Sequence, residues 1–436
     1  MSRVPQINIG LFGFGTVGSR VYEILCRNES LITRKLGYPV KVKKICVADI
    51  KKKLSVPVPT SMLTSKASEV LDDPEISIIV ELIGNKPAAL EVMNKALELG
   101  KHVVTANKAI LANNGTELLS LAAKNEVEIL FEAAVGGSIP VLRSLREGFI
   151  ADKIRSVHGI INGTCNFILS EMSQKKREFA DVLSEAQKLG YAEANPASDV
   201  EGHDAAQKLC ILSSMAFGQV VSPDKVYSEG ISKLATFDID MAEKFGYVAK
   251  LLAISKCHEN DIEARVHPTL IPKSNLLAQV GGAYNAVMLN GEFFGKSLLY
   301  GLGAGGHATA TAVLADIIEV ARNIAHRVPG VPPYGIKIDQ IVRAKIRPIE
   351  EIESEYYLHF TALDKPGIFA KIANVLGTHH ISIASVYQHG REEGKEVSIV
   401  VFSHKSKEKN IQTALREIDK LSGVTQKTLL IRVENE

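Results

Sequence analysis

Charge of one sign is what this chain most lacks. Lys and Arg total 51 against 49 Asp and Glu, a formal net charge of +2 over 436 residues. That balance leaves no electrostatic footprint for a polyanion, so no nucleic-acid partner is expected. Cysteine is also scarce. The five residues Cys26, Cys46, Cys165, Cys210 and Cys257 are widely spaced and form no CxxC. A disulfide framework or a zinc site is therefore not expected, and a reducing cytoplasm fits. No apolar run reaches the length of a membrane span. A strand-like pattern begins within a few residues of Met1, so neither a signal peptide nor a membrane partner is expected. What is present is an ordinary globular composition, 46% hydrophobic and 23% charged, with length for two to four domains.

The most informative stretch is 192–217, A-E-A-N-P-A-S-D-V-E-G-H-D-A-A-Q-K-L-C-I-L-S-S-M-A-F. An acidic, Pro-containing loop passes into a helix that is apolar on nearly every side from Ala205 to Phe217. Such a helix should be buried. Asp204 and Lys208 lie one turn apart on it, and Glu193 and Asp199 precede them. Buried charge must be paired, and desolvation lowers a lysine's pKa. A lysine of that kind exchanges a proton near neutral pH. The alternative is an internal Asp204–Lys208 ion pair that only joins two elements.

Gln6 to Phe12 is a short apolar run that enters G-F-G-T-V-G, Gly13 to Gly18, and then S-R-V-Y-E-I-L-C-R at helical spacing. Strand, glycine turn and helix in this order suit a dinucleotide. The glycines permit a tight turn and close backbone approach, and the helix N-terminus faces a pyrophosphate. A plain turn is the alternative. The next strand, Val40 to Ala48, leads to Asp49, where an acidic residue takes the ribose hydroxyls of NAD. Lys51, Lys52 and Lys53 follow. They suit the 2′-phosphate of NADP, or a solvated loop, so NAD and NADP both stay open.

Ile76 to Ile83 is nearly continuous in apolar residues, as a buried parallel strand should be. Pro87 opens a helix to Leu99, closed by Gly100. His102 to Thr105 is a strand leading into A-N-K, Ala106 to Lys108. Thr116 to Lys124 reads as helix and Val127 to Phe131 as strand. The alternation predicts an α/β fold with a doubly wound parallel sheet. Ligands sit at the C-terminal ends of such strands. Lys108 and E-A-A-V-G-G-S-I-P, Glu132 to Pro140, are thereby placed at the functional rim. Taken alone, Lys108 would be an exposed loop lysine.

Beyond Pro140 the pattern changes. Val141 to Gly148 is helical, Lys153 to Ile161 is a strand entering N-G-T-C-N-F-I-L, and helices dominate to about Phe245. Strands return at Ile262 to Ile271 and Ala283 to Leu289. We read this as an α+β domain around an open sheet, with an apolar face suited to a dimer. Y-G-L-G-A-G-G-H-A-T, Tyr300 to Thr309, is a second glycine cluster before a helix, Thr309 to His326. It either approaches a cofactor or makes a sharp corner. Val328 to Ile349 contains Pro329, Pro332, Pro333 and Pro348 and reads as linker. From Tyr356 to Val433 the pattern is β-α-β-β-α-β, a ferredoxin-like module.

In these pieces the chain resembles homoserine dehydrogenases over essentially its whole length. The resemblance is carried by G-F-G-T-V-G, by T-A-N-K at Thr105 to Lys108, and by E-A-A-V-G-G-S-I-P. It continues through I-N-G-T-C-N-F-I-L from Ile161, G-Y-A-E-A-N-P-A-S-D-V-E-G-H-D-A-A-Q-K from Gly190, and G-L-G-A-G-G from Gly301. The terminal module resembles an ACT domain, whose usual entry to its first helix is matched by L-D-K-P-G, Leu363 to Gly367.

The resemblance implies a Rossmann-type NAD(P)-binding domain over 1–140, completed by a helix at 306–327. It implies a catalytic and dimerisation domain over 141–305, a linker over 328–352 and an ACT domain over 353–436. The activity implied is NAD(P)-dependent interconversion of L-homoserine and L-aspartate 4-semialdehyde, in threonine, methionine and isoleucine biosynthesis. Lys208 would donate and accept the proton at the substrate oxygen, and Lys108 would orient substrate against the nicotinamide. Glu193, Asp199 and Asp204 would bind substrate and set the charge state of Lys208. Gly13, Phe14, Gly15, Thr16, Val17 and Gly18 would form the cofactor loop, with Asp49, Lys108 and Gly305 also contacting cofactor. Glu132, Val135, Gly137 and Ile139 would give oxygens to a sodium ion, mostly backbone carbonyls, as a hard cation prefers. Threonine is the expected effector at the ACT domain, and a homodimer or homotetramer the expected assembly.

The sequence departs from the family pattern twice. Ser138 stands where glycine is common, and His307 interrupts the run after the second glycine cluster. Two rivals are a different ACT-tailed dehydrogenase, for which a histidine acid-base group would be expected, and a cofactor-binding sensor without catalysis. Lys108 and Lys208 speak against the sensor.

Overall fold

The computed structural model describes residues 6–389 and 394–435. The expected terminal domains also include Met1–Pro5, Gly390–Glu393 and Glu436, which lie outside the described residues. The chain forms two compact units. One comprises Met1–Gly163, Asp204–Val226 and Tyr284–Ala344; the other comprises Thr164–His203, Tyr227–Ala283 and Lys345–Glu436.

The first unit is built on a six-stranded sheet with strands β1 (Ile7–Phe12), β2 (Val40–Cys46), β3 (Leu63–Thr64), β4 (Ile76–Glu81), β5 (His102–Thr105) and β6 (Ile129–Leu130). Their order is β3-β2-β1-β4-β5-β6, all parallel. This is the doubly wound arrangement expected, and the order reverses between β1 and β4, where the fold opens a ligand crevice. Ile9, Leu11, Ile78, Val80 and Val104 pack from the central strands against Val313, Ile317 and Val320 of the helix Gly306–His326. Burial on both faces explains why β4 reads as a continuous apolar run.

Two boundaries differ from expectation. The helix after β5 runs from Lys108 to Lys124, not from Thr116. The N-N-G segment, Asn113 to Gly115, carries turn residues, yet Gly115 is buried inside the helix, where an added Cβ would lie 3.3 Å from the Tyr334 hydroxyl. The Asn107 side chain caps the true start by accepting from the Ile110 amide. Likewise, the helix expected from Thr309 starts at Gly306. The same unit carries three antiparallel strands, in which Tyr284–Gly291 pairs on one side with Ile154–Ile160 and on the other with Lys296–Leu302. The last of these strands was not expected.

In the second unit Tyr247–Cys257 pairs antiparallel with Ile262–Pro272 along its whole length. The first strand of this pair was missed because residues from Ala249 to Ser255 are buried without alternation. The terminal module follows the expected β-α-β-β-α-β order, with Glu353–Leu363, Glu396–Ser403, Ile383–His389 and Leu429–Val433 in one sheet. Its helices Ile368–Thr378 and Glu408–Ile418 cover a core of Tyr356, Phe360, Ile372, Val401 and Ile411. Leu429–Val433 also pairs in parallel with Ile262–Pro272, at Thr269 with Arg432 and Leu270 with Val433. The module is therefore hydrogen-bonded into this unit's sheet. Among the described residues, no helix is long and apolar enough to cross a membrane.

Candidate active site

The first glycine turn is dictated by sterics. Gly13 has φ +92°, and a Cβ there would lie 2.5 Å from the Leu82 carbonyl oxygen. A Cβ on Gly18 would lie 2.2 Å from the Gly13 carbonyl oxygen. Gly15 and Thr16 are exposed at the start of the helix Gly18–Arg27, and Val17 is half-buried. The Phe14 ring turns inward against Tyr22, with centroids 5.8 Å apart. Gly305 has φ +118° and ψ 144°, a conformation open essentially to glycine alone. A Cβ on its neighbour Gly306 would lie 2.8 Å from the Thr16 carbonyl oxygen. The second glycine cluster thus presses against the first, and a cradle that side chains would fill is left open at a helix N-terminus. That fits a dinucleotide pyrophosphate. His307, exposed beside it, places Nε2 3.4 Å from Glu23. Asp49 is exposed just beyond β2 and accepts from the Lys51 amide at 2.8 Å, with Lys51, Lys52 and Lys53 also exposed.

In the same unit Asp204 lies in the first turn of the helix His203–Phe217, as the apolar pattern requires, and is buried. Its Oδ2 accepts from Lys208 Nζ at 2.7 Å and from Asn162 Nδ2 at 2.9 Å. Its Oδ1 lies 3.1 Å from Lys108 Nζ. Burial works against the carboxylate, but the two lysines outweigh it and hold Asp204 down at about 2. Lys208 Nζ also donates to the Ile161 carbonyl at 2.8 Å. Its side chain is 13% exposed and that of Lys108 is 37% exposed, and the two ammonium groups share one counter-ion. Lys108 is the first residue of its helix rather than part of a loop.

The loop from Glu132 to Pro140 is almost wholly buried. The Glu132 carboxylate accepts from the Leu142 and Arg143 amides at 2.9 and 2.7 Å, capping the short helix Val141–Arg143. Its backbone amide donates to Asp316 at 2.8 Å. Burial raises Glu132 to about 7. Burial, together with Glu132, raises Asp316 to about 8. Gly136 and Gly137 have φ +77° and +59°, whereas Ser138 is not in the left-handed region. Ser138 is accommodated for that reason, and both its amide and its hydroxyl donate to the Leu302 carbonyl. A cation at this loop would draw on Glu132 and on backbone carbonyls among Val135, Gly137 and Ile139. Among the described residues, no cluster of three or more His, Cys, Asp and Glu suits a metal.

Glu193 and Asp199 belong to the second unit. Glu193 is exposed on the loop before the short helix Ala197–Val200, which contains Asp199. The Asp199 carbonyl accepts from Cys165 Sγ at 3.1 Å. Sequence reasoning missed Asn162, Glu81, Thr105 and Asp316. Asn162 had a signal, since N-G-T follows a strand end. Thr105 had one too, as the first residue of T-A-N-K, while Glu81 and Asp316 had none, because a single polar residue at a strand end or inside a helix is ordinary.

Comparison with known proteins bears on the chain as a whole. Residues 13–132 match the family described as the homoserine dehydrogenase NAD-binding domain, 140–318 match homoserine dehydrogenase, and 356–423 match the ACT domain. A homoserine dehydrogenase of Neisseria gonorrhoeae is 44% identical, with 99% of each chain covered. The crystal structure of a homoserine dehydrogenase from Thiobacillus denitrificans is 44% identical, covering 99% of this chain and 98% of that one, with a TM-score of 0.92. A hyperthermophilic archaeal homoserine dehydrogenase, solved in complex with NADPH, is 28% identical at a TM-score of 0.62, covering 72% of this chain and 98% of its own. With this similarity along its full length, the chain belongs to the homoserine dehydrogenase family.

Proposed function

We propose that Lys208 is the general acid and base in the interconversion of L-homoserine and L-aspartate 4-semialdehyde. The Lys208–Asp204–Lys108 arrangement carries this reading. A nicotinamide held by the Gly13–Gly18 cradle would supply or accept the hydride. The alkoxide formed when a carbonyl is reduced must gain a proton, and Lys208 carries one at a fixed position. Asp204 and the Ile161 carbonyl hold its ammonium in place. In the oxidative direction the neutral amine takes the proton back. Lys108, on the other oxygen of Asp204, orients substrate. Glu193 and Asp199 are retained as substrate-binding residues on the strength of their motif. Gly13, Phe14, Gly15, Thr16, Val17, Gly18, Asp49, Lys108 and Gly305 are retained as cofactor-binding residues.

The archaeal relative's NADPH and the three exposed lysines after Asp49 favour NADP, while Asp49 itself suits NAD, so both belong in the assay. Sodium at the 132–139 loop and threonine at the ACT module complete the proposal, with a homodimer or homotetramer in the cytoplasm. A spectrophotometric assay of homoserine oxidation with NAD⁺ and with NADP⁺ tests it. Turnover is expected with at least one cofactor. Lys208→Ala should still bind cofactor yet fail in turnover, and rates near wild type in that variant would overturn the assignment.

A further inference from the structure

Glu81 ends β4 and Thr105 ends β5, and the two are neighbours across the parallel ladder. On its other side Glu81 neighbours Phe12 of β1, at the place where the strand order reverses. Glu81 is fully buried. Oε1 accepts from the Ile83 amide at 2.6 Å, and Oε2 accepts from the Thr105 hydroxyl at 2.6 Å. Thr105 Oγ1 in turn accepts from the Asn107 amide at 3.0 Å. The Asn107 side chain caps the next helix, whose first residue is Lys108.

This relay has one direction. A carboxylate only accepts, so the single O–H of Thr105 must point at Glu81. The Thr105 lone pairs then face the Asn107 N–H. An apolar residue at 81 would leave the Ile83 amide and the Thr105 hydroxyl buried without partners, which is costly. The arrangement fixes the backbone turn from which Lys108 departs, and Lys108 Nζ reaches Asp204 Oδ1 at 3.1 Å.

We propose that Glu81 is a positioning residue for the reaction, acting through Thr105 to set where the Lys108 ammonium meets Asp204. The inference rests on the reading of Lys108 as a substrate-orienting group. Small displacements of such groups lower rates by up to about a hundredfold.

The test is a double-mutant cycle on the full chain. Thr105→Val should lower kcat/KM for homoserine about tenfold or more. Thr105→Ser, which keeps the hydroxyl, should stay within about twofold of wild type. In a Lys108→Met background Thr105→Val should cause no further loss. Cofactor affinity, measured by fluorescence titration, reports the integrity of the fold. Glu81→Gln keeps the shape but reverses the bond to Thr105. It should show the same dependence on Lys108, and it serves if Thr105→Val does not fold. Equal losses with and without Lys108, or wild-type rates in both Thr105→Val and Glu81→Gln, overturn the inference while leaving Lys108 in its role. Wild-type rates in Lys108→Met overturn both.

Discussion

Lys108 and Asp204 meet at 3.1 Å, although one opens the helix after β5 and the other lies in the first turn of the helix His203–Phe217. The helix that follows β5 and a buried helix are thereby joined through a charge. Because Lys208 takes the second oxygen of the same carboxylate, Asp204 is the common counter-ion of both candidate catalytic groups.

Removing one member should therefore disturb the others. Lys208→Ala should lower kcat by about 10² to 10⁴, the usual contribution of a positioned general acid. Asp204→Asn keeps the shape and deletes the charge. Without it the two ammonium groups repel each other and lose the carboxylate that positions both, so kcat should fall in Asp204→Asn as well. Steady-state kinetics of homoserine oxidation read both effects. The depressed Asp204 also bears on stability. Its folded value of about 2 lies below the unfolded 3.8, so its contribution is complete above about pH 4 and is lost as pH falls toward 2. Wild type and Asp204→Asn should converge in stability only in that acid window.

His102 predicts acid sensitivity at milder pH. Its Nδ1 accepts from the Glu128 amide at 3.1 Å, which requires the neutral ring. Burial lowers its pKa from 6.5 to about 4. The unfolded chain thus takes up a proton near pH 6.5 that the folded chain refuses until about pH 4. Stability should fall between those values as pH drops, by on the order of 3 kcal/mol from this group. Gln at 102 can still accept from the amide without titrating. Urea midpoints at pH 4.5, 5.5 and 7.5 should fall less steeply in His102→Gln, and parallel curves would remove the assignment.

The contact of Gly306 with the Thr16 backbone predicts a cofactor defect. An added methyl would meet the Thr16 carbonyl oxygen at 2.8 Å, and backbone cannot step aside as a flexible side chain does. Gly306→Ala should raise the cofactor Kd several-fold while Lys208-dependent chemistry in the saturated enzyme persists. Fluorescence titration alongside kcat separates the two, and an unchanged Kd would show that the turn yields freely.

Much of this was legible in the residues. The glycine turn, the continuous apolar β4 and the one-turn spacing of Asp204 and Lys208 each carry a local signature, and the fold honours all three. What escaped was non-local. Lys108 opens a helix because Asn107 caps it, a role that N-N-G further on obscured. The strand Tyr247–Cys257 hid because it is buried without alternation. Asn162 and Thr105 matter through partners far away in sequence, and spacing cannot show which side chains converge.

The terminal module yields the last prediction. Arg432 is fully buried and bonds Glu408 at 2.6 Å and Glu229 at 2.9 Å, so the module and the strand region before it share one ion cluster. Glu434 adds contacts at 3.3 Å to Arg265 and 3.0 Å to Lys256. Breaking a buried pair strands the remaining charge. Arg432→Ala should lower stability by about 3 to 5 kcal/mol, measurable as a lower urea midpoint. Truncating the chain after Ile349 would strip Leu429–Val433 from its pairing with Ile262–Pro272, so lost activity there would report unfolding rather than regulation. A substitution at the Leu363–Gly367 turn is the cleaner probe of effector binding. Asp364 accepts there from Gln388 at 3.4 Å, at a polar and partly exposed position remote from the Arg432 cluster in sequence. On the proposal that threonine binds the module and inhibits, Asp364→Ala should keep the uninhibited rate and lose that inhibition. Unaltered inhibition in that variant would remove this turn from the effector site.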